Sequence, residues 1–167
     1  EQALAINPNF AEAHNNLGNT LRNLGQLDVS IKSFEQALAI KPDYAEAHNN
    51  LGNALTRTRQ LDEAVKCFEK ALAIKPDYYG VYANLGLTLQ ALGQPDAALK
   101  SYEKAIAIKS DFAEAYRNLG SVLLDLGRMD EALVSFERAL EINPDLDFTL
   151  GKLLHTKMHL CLWDDLS

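Results

Sequence analysis

The chain has 167 residues, a length suited to one domain, and its 47% apolar content is ample material for a core. Sixteen basic against 23 acidic residues leave a net charge of −7, which argues against a nucleic-acid backbone as partner. No apolar run reaches the roughly 18 residues of a membrane span, and no charged-then-apolar leader opens the chain. Cys67 and Cys161 stand alone, without a CxxC pair. Two lone thiols suit a reducing compartment, so the cytoplasm is the expected location.

Residues 1–10 read as the tail of a preceding repeat, and Glu1 opens inside a pattern, so the chain reads as a piece of a longer protein. From there a 34-residue period runs through 11–44, 45–78, 79–112 and 113–146. It carries Leu-Gly at Leu17-Gly18, Leu51-Gly52, Leu85-Gly86 and Leu119-Gly120. It also carries Asp28, Asp62, Asp96 and Asp130; Phe34, Phe68, Tyr102 and Phe136; and Ala37, Ala71, Ala105 and Ala139. Pro42, Pro76 and Pro144 close units, with Ser110 at the remaining closure.

Within each unit the apolar spacing predicts two helices. Leu17, Leu21 and Leu24 make the stripe of the first, and Ile31, Phe34 and Leu38 that of the second. Gly25, Gly93 and Gly127 mark the break between them, where a left-handed residue ends a helix. Arg59 holds the same place in the second unit and should bear backbone strain there. The Asp column should cap the second helix. Gly18, Gly52, Gly86 and Gly120 should lie where the helices cross, facing Ser30, Ala64, Ala98 and Ala132.

These columns resemble the tetratricopeptide repeat, a helix–turn–helix unit. The resemblance implies an all-α, right-handed superhelical solenoid whose first helices line a concave face. The large aromatic of the family's fourth position is His14 and His48 here, then Tyr82 and Tyr116. Both histidines are read as core-edge side chains.

Counting from Ala11, Ala45, Tyr79 and Ala113, the groove-facing positions are two, five, six, nine, twelve and thirteen. Position six is Asn16, Asn50, Asn84 and Asn118. Position five adds Asn15, Asn49 and Arg117, and position nine adds Asn19 and Asn53. An asparagine amide offers the donors and the acceptor that match a peptide unit. A ladder of them can hold an extended polypeptide by its backbone; equally, it can join neighbouring helices. The charged groove positions nearly cancel: Glu12, Glu46, Glu114 and Asp125 against Arg22, Arg57 and Arg117. Positions two, five and six are Glu, Asn or Gly almost throughout, so the clamp of lysines and an arginine with which some relatives hold a chaperone's C-terminal carboxylate is absent.

At residues 147–167 the pattern fails, with Leu154 where glycine is expected. Phe148, Leu150, Leu153, Leu154 and Met158 still form a helical stripe, predicting a capping helix followed by a linker. The spacing of His155, Cys161, Trp163 and Asp165, with the N-N-x-G-N repeats, resembles the O-linked N-acetylglucosamine transferase family. Leu162 departs from that family's pattern, which has an acidic or polar residue there.

That resemblance implies an acceptor-recognition region ahead of a downstream catalytic domain using UDP-N-acetylglucosamine. No catalytic residue, metal or cofactor is expected in the chain itself. The alternative is a scaffold for protein–protein contacts or self-association. His155 and His159 have metal-ligand spacing but lack a second pair, so packing against a following domain is the preferred reading. Leu4 and Ile6 should leave an apolar N-terminal edge through which copies associate weakly.

Overall fold

The computed structural model describes residues 8–160. They form nine α-helices and no strand: α1 (Pro8–Asn23), α2 (Leu27–Ile40), α3 (Ala45–Arg57), α4 (Leu61–Ile74), α5 (Tyr79–Ala91), α6 (Pro95–Ile108), α7 (Ala113–Asp125), α8 (Met129–Ile142) and α9 (Thr149–His159). The helices pair as the 34-residue period predicts. One difference is at the start: α1 begins at Pro8, ahead of Ala11, where proline's missing N–H breaks no helical bond. Leu4, Ile6, Cys161, Trp163 and Asp165 lie outside the described residues, as do the apolar edge and most of the linker expected there.

Each first helix ends in the same motif. Gly25, Gly93 and Gly127 have φ of +77°, +73° and +74°, and Arg59 follows them at +65°. The amide after each one reaches back to a first-helix carbonyl: Gln26 to Leu21 and Gln60 to Leu55, both at 2.9 Å. The tertiary path therefore imposes the left-handed turn even where the side chain resists it. The second helices end at Lys41, Lys75 and Lys109, all extended at φ −131°. Ser110 follows Lys109 without altering this backbone, so proline is not required for the stop. Lys41 and Lys75 lie over the rings of Tyr44 and Tyr78, at 5.0 and 4.9 Å, which ties each stop to the next start.

The capping role expected of Asp28, Asp62, Asp96 and Asp130 is not what these residues do. The N-caps are Gln26, Gln60, Gln94 and Arg128, and none makes a side-chain cap hydrogen bond. The aspartates stand one residue inside each helix, where they act on the dipole alone. Ion pairs among the described residues join Arg128 to Glu131, Arg138 to Glu141 and Lys157 to Glu137.

The crossing of the two helices depends on the glycine column, through a different neighbour from the one expected. A Cβ at Gly18, Gly52, Gly86 or Gly120 would stand 2.5–2.7 Å from a ring carbon of Phe34, Phe68, Tyr102 or Phe136. The four rings are fully buried, as are Ser30, Ala64, Ala98 and Ala132. Glycine thus yields its space to the ring, and the small residue lets the backbones approach; Ser30 also donates to the Gly18 carbonyl at 2.9 Å.

Buried residues form a cluster around Phe34, Phe68 and Val81 and a second around Tyr102, Val122 and Phe136, with Leu89 bordering both. Helices pack chiefly on their chain neighbours, and α1, α3, α5 and α7 also touch in series. The stack therefore curves with the first helices on its inner side.

The helix α9 packs on α8 through only part of the expected stripe, Leu153 with the half-buried Leu154. Thr149, Leu153 and Thr156 are buried, whereas Phe148, Leu150 and Met158 are exposed. Phe148 precedes the helix at φ +60°, yet Thr149, Leu153 and Thr156 take the places of Ala115, Leu119 and Val122 one period earlier, so α9 keeps the repeat register. Among the described residues no helix is long and apolar enough to cross a membrane.

Two stability outcomes follow from this packing. Arg59→Gly removes the strain of a left-handed β-carbon and should stabilise by about 1 kcal/mol, a rise of a few degrees in Tm. Tyr102 carries a buried hydroxyl with no partner where its counterparts are phenylalanine, and burial pushes its phenol far above the usual range. Tyr102→Phe should stabilise by about 1 kcal/mol, read by denaturant midpoint at unchanged m-value.

Candidate interaction groove

The curvature brings positions two, five, six, nine, twelve and thirteen of successive first helices to one face. There the asparagines have unequal fates. Asn15 is fully buried and Asn50 is buried. The Asn50 amide donates to the Asn15 carbonyl at 2.9 Å. The Asn15 amide donates in turn to Glu46, at 3.3 Å, and to the Tyr44 hydroxyl, at 3.5 Å. One repeat further on, the Asn84 amide donates to the Asn49 carbonyl at 2.9 Å.

The rule is that position six of one repeat bonds to position five of the repeat before. It breaks at Asn118, because its partner position is Ala83; its carbonyl takes a bond from Arg117 Nε at 3.4 Å instead. The amides of Asn15 and Asn50 are thus largely spent on joining helices. Asn16 is exposed, and Asn49, Asn53, Asn84, Asn118 and Arg117 are half-buried on the groove side. Asn19 is also half-buried, and its carbonyl oxygen is enclosed with no partner.

Other side chains stitch the same seam. Thr56 and Thr88 hydroxyls meet at 3.0 Å, and Gln90 donates to Asp125 at 2.8 Å. Lys152 of α9 reaches Ser121, so the capping helix supplies a groove residue. Burial and the nearby Arg117 hold its ammonium below the ordinary lysine range, with Asp125 opposing. The threonines and Lys152 escaped the sequence reading. Thr56 and Thr88 do recur at nearly one repeat period, a signal masked by their unequal positions.

His48 is buried at the core edge, as expected; its Nε2 lies 2.9 Å from the Pro42 carbonyl, and burial favours its neutral form. His155 and His159 are exposed, with ring centroids 4.5 Å apart. Among the described residues no cluster of three histidine, cysteine or acidic side chains could hold a metal ion. Cys67 is half-buried, and burial raises its thiol pKa, which makes it a poor nucleophile.

Tetratricopeptide repeat family models match residues 9–77, 43–111 and 84–147. No curated protein matches the chain. A MamA crystal structure is 31% identical with a TM-score of 0.77, covering 86% of this chain and 84% of that one. YrrB, a TPR protein with an unusual peptide-binding site, is 26% identical with a TM-score of 0.76, covering 98% and 84% respectively. The first TPR of Spaghetti (RPAP3), bound to an HSP90 peptide, is 23% identical with a TM-score of 0.68, covering 70% and 93%. The chain belongs to the tetratricopeptide repeat family.

Proposed function

We propose that the chain is a protein-interaction module that holds an extended polypeptide segment along the face formed by α1, α3, α5 and α7. The observation that carries this reading is the row of half-exposed polar groups, one set per repeat, with hydrogen-bond capacity left over after the seam is made. Asn16, Asn49, Asn53, Asn84 and Asn118 supply amides, and Leu87, which is exposed, adds an apolar contact. Asn15 and Asn50 hold the repeats at a fixed spacing, so a bound chain meets a preset ladder. The peptide-binding site of YrrB, at 26% identity over nearly the whole chain, supports the same use of the repeat.

The scaffold reading needs nothing beyond these repeats. A glycosyltransferase parent is a second reading, favoured only by the N-N-x-G-N repeats and the spacing from His155 to Asp165. The similar structures described above are not glycosyltransferases. The mass of the full-length product separates the two readings: several hundred further residues favour the enzyme, and a stop soon after Ser167 removes it.

A random 12-residue peptide library panned on the chain should yield binders. Asn16→Ala, Asn118→Ala or Leu87→Ala should each weaken them by about 1 kcal/mol, roughly fivefold, while Lys100→Ala on the outer helix α6 leaves them unchanged. Binders that ignore the groove variants would refute the reading. The buried pair behaves differently: Asn15→Ala and Asn50→Ala should each lower stability by about 1–3 kcal/mol, and the double variant should cost less than their sum. Additive losses in denaturant titration would show that the two amides do not support each other.

A further inference from the structure

The groove charges balance only as a sum; the fold separates them. Glu46 faces the Asn15 amide and Asp125 receives Gln90. Arg22 and Arg57 come together elsewhere. Arg57 Nη1 donates to the Arg22 carbonyl at 3.2 Å, and Arg22 Nη1 lies 3.5 Å from Asn50 Oδ1. Among the described residues neither arginine is ion-paired.

The two arginines border a pocket of about 350 Å³ that draws on three repeats, with Asn53, Thr56, Asn84, Leu87 and Thr88 as its other walls. Its hydrogen-bonding inventory is lopsided. The Thr56 and Thr88 hydroxyls lie within hydrogen-bond distance of the Gly52 and Asn84 carbonyls and of each other, so their two protons are already engaged. Each guanidinium carries five N–H groups, most of them unspent, and the Asn53 amide adds more donors. The pocket thus offers N–H donors and two positive charges, against which only the Asn53 and Asn84 side-chain carbonyls are left to accept. The like charges repel until an anion arrives; burial and Arg57 already hold Arg22 below the ordinary arginine range.

Resting on the reading of the groove as a polypeptide site, we infer that this pocket receives the side-chain carboxylate of a glutamate or aspartate in the bound segment. The planar guanidinium groups take the carboxylate oxygens, and Leu87 packs on the side chain's methylenes. The site lies at positions twelve and thirteen of the first two repeats, so it would fix the register of an otherwise backbone-held chain.

The test uses peptides selected on the intact chain from the library. The expected result is that binders carry an acidic residue whose change to the amide, Glu→Gln or Asp→Asn, weakens binding at least about tenfold. The Arg22→Gln/Arg57→Gln double variant should bind the acid and amide forms equally. Arg22→Lys/Arg57→Lys, which keeps the charge should the first variant fold poorly, should retain a reduced preference. The preference should shrink as salt is raised. Binders without an acid, or with an acid that the amide replaces at no loss, would overturn the pocket and leave the groove intact. Failure to select any binder would overturn both.

Titration of arginine side-chain NMR signals with acetate and with inorganic phosphate identifies the anion. Saturable shifts of Arg22 and Arg57 by acetate support the carboxylate. Shifts by phosphate alone would overturn it in favour of a phosphoryl group.

Discussion

The architecture depends on one steric relation, an aromatic ring seated against a helix that has no side chain at that point. Phe34, Phe68, Tyr102 and Phe136 occupy the space that a β-carbon on the paired glycine would need. The ring sets how closely the two helices of a repeat approach and at which level they cross. Because every repeat meets the constraint in the same way, the units are nearly identical in shape, and stacking them gives a regular curve. The inner face and its side chains are consequences of that curve.

The polar seam is the second layer of the same design. Consecutive first helices are joined by amide pairs from position six to position five, by Thr56 with Thr88, and by Arg57 on the Arg22 backbone. Such bonds contribute modestly to stability, about 1 kcal/mol each, but they specify direction where apolar contact does not. They hold the inner helices in register, so that the remaining groups face the groove at fixed intervals. On the proposed reading, an extended ligand would lose its own freedom without the protein losing more.

The ends of the helices show how far local chemistry yields to the stack. Arg59 takes a left-handed conformation that glycine adopts freely in the other repeats, and Lys109 stops its helix without a following proline. In both places the neighbouring helices decide the path, and the residue accommodates it at a small cost. The α9 helix follows the same rule. The glycine and aromatic columns end and Phe148 takes a left-handed conformation, yet Thr149, Leu153 and Thr156 are buried in the places that Ala115, Leu119 and Val122 hold one period earlier.

Much of the fold was legible in the residues themselves. A period with glycine, aromatic and small residues at constant offsets admits few packings, and helical spacing of Leu17, Leu21 and Leu24 names the element without ambiguity. The groove positions came from the resemblance to the repeat family, and the period only carries them from one unit to the next. What those positions do was not legible. Whether Asn50 faces a ligand or Asn15 depends on the distance between repeats, and no single sequence states it. The same holds for the aspartates, which sit two residues past the N-cap, too far inside their helices to cap them. The charge count along the groove is a sum over positions and carries no geometry. Only the tertiary packing brings Arg22 beside Arg57 while leaving Glu46 and Asp125 with other partners. Local periodicity determines helices and their pairing; the angle between repeats, a property of the packed stack, decides which polar groups are consumed and which are left to bind.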